Sequence, residues 1–172
     1  VSRWQILVGK MMVVVTSGML AASCALLGLF VSIEFLDIVD NKEILDIVHG
    51  ILTPSFIIAM FSLLFPLVVF FAGAMIPIAV YAKSFKEAQS IITPLNFVMV
   101  LPAMIGFFPG IELNAMTAAI PVVNIVLSTK ELISGTLSVG YYCISLGIML
   151  LLATLSVIVS YRQFGNEARI LN

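Results

Sequence analysis

The chain has 172 residues, 62% of them hydrophobic and only 10% charged, with a formal net charge of −1 and a mean hydropathy of +1.21. Soluble domains carry roughly 25% charged residues, so this chain lacks the polar side chains to clothe a water-facing surface. Near-neutral charge and the lack of any Lys/Arg-rich run argue against a nucleic-acid partner; the composition predicts an all-α integral membrane protein, a polytopic helical bundle in the lipid bilayer.

Apolar runs of about 20 residues cross a hydrocarbon core of ~30 Å, and the chain divides on that measure. Residues 1–10 are a polar start bearing Ser2, Arg3, Trp4 and Lys10, with no cleavable signal peptide. The opening Val1 reads as the start of a piece of a longer chain. A first span is expected over 11–33, an acidic outer loop over 34–49, and a second span over 50–82 with Pro54, Pro66 and Pro77 as bend points. A charged turn follows at 83–90, then a third span at 91–111 and a segment at 113–129 broken by Pro121. A fourth span at 133–161 and a polar tail at 162–172 complete the chain. Cys24 and Cys143 each sit inside an apolar run and read as small packing residues, not as a disulfide or metal pair.

The segment at 113–129 is either a fifth span or a re-entrant pair of half-helices. Lys and Arg prefer cytoplasmic loops, which weighs the two. With four spans, Arg3, Lys10, Lys83, Lys86, Arg162 and Arg169 share one side and only Lys42 and Lys130 the other; five spans give five against three. Four spans plus a re-entrant segment is the expected topology, with both ends cytoplasmic. The acids then gather outside, with Glu34, Asp37, Asp40, Glu43 and Asp46 in the first loop and Glu112 and Glu131 beside the re-entrant segment. Such a face attracts cations or simply keeps a loop solvated.

No hydrolytic site is legible. The single histidine, His49, stands at the loop edge outside any His-Glu-x-x-His pattern, and no aspartate lies within a span. A Gly-x-Ser-x-Gly elbow and a phosphate-binding Gly-x-x-x-x-Gly-Lys-Ser/Thr loop are also missing, so the chain is expected to be no enzyme and to bind no cofactor or metal of its own. Polar residues at depth are few: Thr16, Ser17, Ser23, Ser62, Asn96 and Asn124. Ser and Thr in such helices commonly bond a carbonyl one turn back or join helices. Asn124 follows Pro121 in broken backbone and is a candidate for lining a polar pathway. Gly18, Ala21, Ala22 and Ala25 predict close helix packing, within the chain or at a subunit contact.

The stretch YAKSFKEAQSII at 81–92 places Lys83, Lys86, Glu87 and Ser90 on one helical face and Phe85, Ala88 and Ile92 on another. Two readings stand: a face offered to a cytoplasmic partner, or lysines that snorkel to lipid phosphates.

Three pieces, KSFKEAQ at Lys83–Gln89, PGIEL at Pro109–Leu113 and IPVVN at Ile120–Asn124, join the opening VSRWQILVGK and the closing YRQFGNEARIL in one pattern. It resembles the permease subunits of type-2 ATP-binding-cassette exporters, in particular the NatB-like sodium-extrusion permeases. The resemblance covers nearly the whole chain and implies the last four of six spans, with two spans and a large outer domain upstream. It further implies a plasma-membrane location, a second permease subunit, and ATP-Mg hydrolysis on a separate ABC ATPase subunit that drives alternating access. Ser2, Arg3, Trp4 and Lys10 of a cytoplasmic elbow, with Lys83, Lys86, Glu87 and Gln89 of the inner turn, would receive the ATPase stroke. Asn96, Glu112, Pro121 and Asn124 are candidates for the translocation pathway. No carboxylate lies mid-span, so sodium as cargo rests on the resemblance alone, and related permeases move lipids, peptides and other small molecules. The rival expectation is a non-transporting scaffold or a regulatory, channel-like subunit.

Overall fold

A computed structural model describes residues 3–36, 50–51, 53–82 and 84–166, which are helices and connecting turns without a strand among them. They form α1 (Arg3–Leu36), α2 (Pro54–Tyr81), α3 (Phe85–Ala103), α4 (Val123–Ser134) and α5 (Val139–Asn166), with 3-10 turns at Met104–Phe107 and Thr117–Ala119. Among the described residues, four stretches are long and apolar enough to cross a membrane: Trp4–Ser32, Pro54–Ile78, Phe85–Phe107 and Val139–Gln163. The protein is an all-α polytopic bundle. The acidic loop with Asp37, Asp40, Lys42, Glu43, Asp46 and His49 lies outside the described residues, as do Ser2, Lys83, Glu167 and Arg169.

Local chemistry sets the helix starts. Residues 3–10 and the run from Met11 form one unbroken helix of 34 residues, about 50 Å long at 1.5 Å per residue and longer than the hydrocarbon core. Thr53 caps α2, accepting the Phe56 N–H at 3.4 Å, and Pro54 occupies the first turn. A proline there lacks only an N–H that has no helical partner anyway. Pro54 therefore starts the helix instead of bending it, and only Pro66 and Pro77 lie in its interior. Ser84 caps α3 by accepting the Glu87 N–H at 3.2 Å, the Ser-x-x-Glu spacing of a capping box. Residues 85–90 are thus the first turns of the third span.

The bundle is centred on the α2–α5 interface, the most extensive among the described residues, with α1 laid against α2. Leu7 and Met11 cluster with Ala72 and Ile76, and Gly18 meets Val68, so α1 runs antiparallel to α2. Leu63 packs with Met149, Gly73 abuts Ser156, and Pro77 shares a groove with Gln163; α2 and α5 are parallel. Two parallel spans require an odd number of crossings between them, and α3 supplies one. The segment 113–129 therefore enters and leaves on the same face, so it is re-entrant. The start of α1 and the ends of α2 and α5 share the opposite face, where the Trp4 and Tyr161 rings meet edge-on with centroids 5.4 Å apart.

Two packing expectations change. Cys24 and Cys143 are free thiols exposed on outer helix surfaces, not packing residues. Of the small-residue stripe, Gly18 and Ala22 are half-buried, whereas Ala21 and Ala25 are exposed.

Candidate functional site

The re-entrant segment is built where the backbone cannot continue as a helix. Gly110 turns the chain at φ 81°, and Gly135 ends α4 at φ 70°, the left-handed conformation that glycine adopts without steric cost. Between them Val122, just after Pro121, sits at φ 71°, unusual for a β-branched side chain and stable only where surrounding packing enforces it. That packing is present. Leu113, Ala118, Val123 and Leu127 form one buried cluster, and Ile125 joins Leu63 of α2 and Met149 of α5 in another. With 12 residues, α4 reaches only about 18 Å, too short to cross.

Asn124 is fully buried at the base of this segment. Its Nδ2 donates to the Ala118 carbonyl at 3.2 Å, and its backbone N–H donates to the Ile120 carbonyl at 3.0 Å. It thereby ties α4 to the preceding 3-10 turn. Its Oδ1 has no hydrogen-bond partner among the described residues, and neither does the Ser128 hydroxyl one turn further on or that of Ser145 on α5. Nearby, the Ser62 and Tyr142 hydroxyls share a hydrogen bond across the α2–α5 interface, and Tyr142 also donates to the Ala59 carbonyl at 3.2 Å.

The mouth of the segment is fastened by two consecutive residues that sequence reasoning did not single out as a pair. The Leu113 N–H donates to the Glu131 carboxylate at 2.6 Å. Lys130 Nζ donates to the carbonyls of Phe108 at 3.3 Å and Ile111 at 3.4 Å. All three are charge-assisted bonds, roughly twice as strong as neutral ones. Beside this clasp lies a cavity of about 470 Å³ lined in part by Glu112, Lys130, Glu131, Ser134, Thr136 and Tyr141. Of the expected pathway residues, Pro121 and Asn124 thus lie inside the segment and exposed Glu112 at its mouth.

Asn96 lies elsewhere, on α3, and α3 is unlike the other spans because none of its residues is buried. Its half-buried residues, Ala88, Ile92, Leu95, Met99, Pro102 and Ala103, mark the side nearest the bundle. Lys86, Gln89, Ser90, Thr93 and Asn96 are exposed and fall within one arc of about 120°, with Asn96 at the edge next to that side; Phe97 and Val100 continue the arc further along the helix. Ser90 and Thr93 bond the carbonyls of Lys86 and Gln89 at 2.9 and 2.8 Å, whereas the Asn96 carboxamide makes no hydrogen bond to any described residue. Trp4, Lys10, Lys86, Glu87 and Gln89 of the expected coupling surface are exposed, on the helix starts of one common face. Comparison with protein-family models, with curated proteins and with solved structures gives no match for this chain.

Proposed function

We propose that this chain is a membrane permease subunit of an ATP-driven exporter of the type-2 ATP-binding-cassette kind, paired with a second permease subunit and powered by separate ATPase subunits that bind ATP-Mg. The observation that carries this reading is the polar arc of α3. A carboxamide buried in hydrocarbon without a partner costs on the order of several kcal/mol, so a span that leaves Gln89, Thr93 and Asn96 exposed needs water or a polar surface opposite. A route formed between two permease halves supplies both. The sequence resemblance supports the same reading, because its motifs fall on the start of α3 and on the re-entrant segment. In this reading the Lys/Arg-bearing face is cytoplasmic in the plasma membrane. Ser2, Arg3, Trp4, Lys10, Lys83, Lys86, Glu87 and Gln89 receive the ATPase stroke. Asn96, Glu112, Pro121 and Asn124 lie along the route of a sodium ion or another small or hydrophobic cargo.

Single cysteines at residues 89, 93 and 96, in a background with Cys24→Ala and Cys143→Ala, test it in native membranes. A membrane-impermeant maleimide labels all three and spares a cysteine at Val98, and ATP changes the rate at 96. A scaffold leaves 96 as unreactive as 98, and a channel-like subunit reacts without regard to ATP.

A further inference from the structure

We infer that α1, α2 and α5 together hold one anionic phospholipid. Two grooves run side by side on the bilayer-facing surface, away from the re-entrant segment. The first, about 510 Å³, lies between α1 and the other two helices and is lined by Met12, Thr16, Met19 and their neighbours. The second, about 290 Å³, lies between α2 and α5 and includes Pro66, Leu150, Thr154 and Ile158. Phe65, Val69 and Val157 line both and form the ridge between them.

Neither groove offers a hydrogen bond to a polar solute. The only hydroxyls in their linings, those of Thr16 and Thr154, donate to the carbonyls of Met12 and Leu150, each at 2.7 Å. A pair of apolar channels flanking one ridge matches a molecule with two acyl chains. Beyond the end of the grooves the surface turns amphipathic. Tyr161 stands one turn beyond Val157 and stacks edge-on against Trp4, which borders the first groove; such rings settle at headgroup depth. Arg162 stands one turn beyond Ile158, on the stripe Thr154–Ile158–Arg162, is exposed, and pairs with no described residue. A guanidinium there matches a phosphate in geometry, and its charge favours a headgroup that carries no compensating cation. A second copy seated on the same surface about an axis along the membrane normal would bring two Arg162 side chains to the same depth, a like-charge contact that disfavours it.

The test offers the purified chain, in neutral detergent, an equimolar mixture of phosphatidylglycerol and phosphatidylcholine with identical acyl chains, and counts retained lipids by native mass spectrometry. One phosphatidylglycerol is retained at roughly fivefold over phosphatidylcholine, the contribution of one basic residue near a membrane surface. Arg162→Gln lowers phosphatidylglycerol retention about fivefold, to the unchanged level of phosphatidylcholine. Met12→Trp fills the first groove from a position that is 57% exposed, so the core is undisturbed, and it lowers retention of both. Equal retention of the two lipids by the unsubstituted chain overturns the assignment. So does a preference that survives Arg162→Gln, or a lipid-free dimer.

Discussion

At Gly73 α2 lies directly against Ser156 of α5, and replacing it by alanine tests the geometry of the whole bundle. A Cβ at this position would stand 2.5 Å from Ser156 Oγ, 2.9 Å from the Ser156 carbonyl carbon and 3.0 Å from its Cβ. The hydroxyl can rotate away, but the backbone carbon moves only if the two helices separate along their main interface. Overpacking of this kind costs typically about 1–3 kcal/mol. Against it stands the better helix propensity of alanine, worth about 1 kcal/mol. Gly73→Ala is therefore neutral to destabilising by about 2 kcal/mol. Gly28→Ala and Gly147→Ala carry the same propensity gain with nothing within 4 Å of the added carbon, and are neutral to stabilising by up to about 1 kcal/mol. Unfolding from mixed micelles by titration with dodecyl sulfate, followed by far-UV circular dichroism, reads the contrast, expected at about 1–3 kcal/mol in sum. A Gly73→Ala protein as stable as Gly147→Ala would refute the close α2–α5 approach and the parallel pairing built on it.

Other substitutions probe the re-entrant segment and the third span. Glu131→Ala strands the buried-side Leu113 N–H, and loss of a charge-assisted bond of about 1.5–3 kcal/mol speeds hydrogen exchange over residues 105–118, while Glu131→Gln keeps an acceptor and shows a smaller effect. Unchanged exchange in Glu131→Ala removes the clasp from the account. Asn124→Ala breaks the bond to the Ala118 carbonyl at no exposed surface and costs about 1–3 kcal/mol, seen as faster exchange at 117–124; protection equal to the parent chain contradicts the tie. Ser84→Ala removes the α3 cap at about 1 kcal/mol and frays residues 85–88, whereas Ser84→Asp preserves their protection.

How much of this was legible in the sequence depends on whether the deciding physics is local. The four spans are legible because bilayer thickness imposes a run length, and the re-entrant segment because Pro121 interrupts a run already too short to cross. The start of α2 is legible in principle, since Thr53-Pro54 is a cap followed by a proline at the first turn; reading Pro54 only as a kink overlooked the residue before it. The continuity of residues 3–10 with α1 is harder to see, because polar residues at a helix end fit an elbow and a projecting span equally well. The Lys130–Glu131 clasp is not legible, as its partners lie 18 to 22 residues back in the chain and meet it only after the segment folds on itself. Exposure of Cys24 and Cys143 is invisible for another reason. Lipid-facing and helix-facing surfaces of a span are both apolar, so hydropathy does not tell one from the other. On α3 the distinction does appear over the first three turns, where the outward arc carries Lys86, Gln89, Ser90, Thr93 and Asn96 before Phe97 and Val100 continue it.

The central claim, that this chain forms half of an ATP-driven export route, is tested most directly by reconstitution in liposomes. The full-length protein is assembled with its ATPase partner, and flux of sodium and of a panel of hydrophobic cargoes is followed with and without ATP-Mg. ATP-dependent movement of at least one cargo is expected, lost on Asn96→Leu, with weakened coupling when Lys83, Lys86 and Glu87 are all replaced by alanine. Flux that ignores ATP, or a chain that assembles with no ATPase and moves nothing, would contradict it.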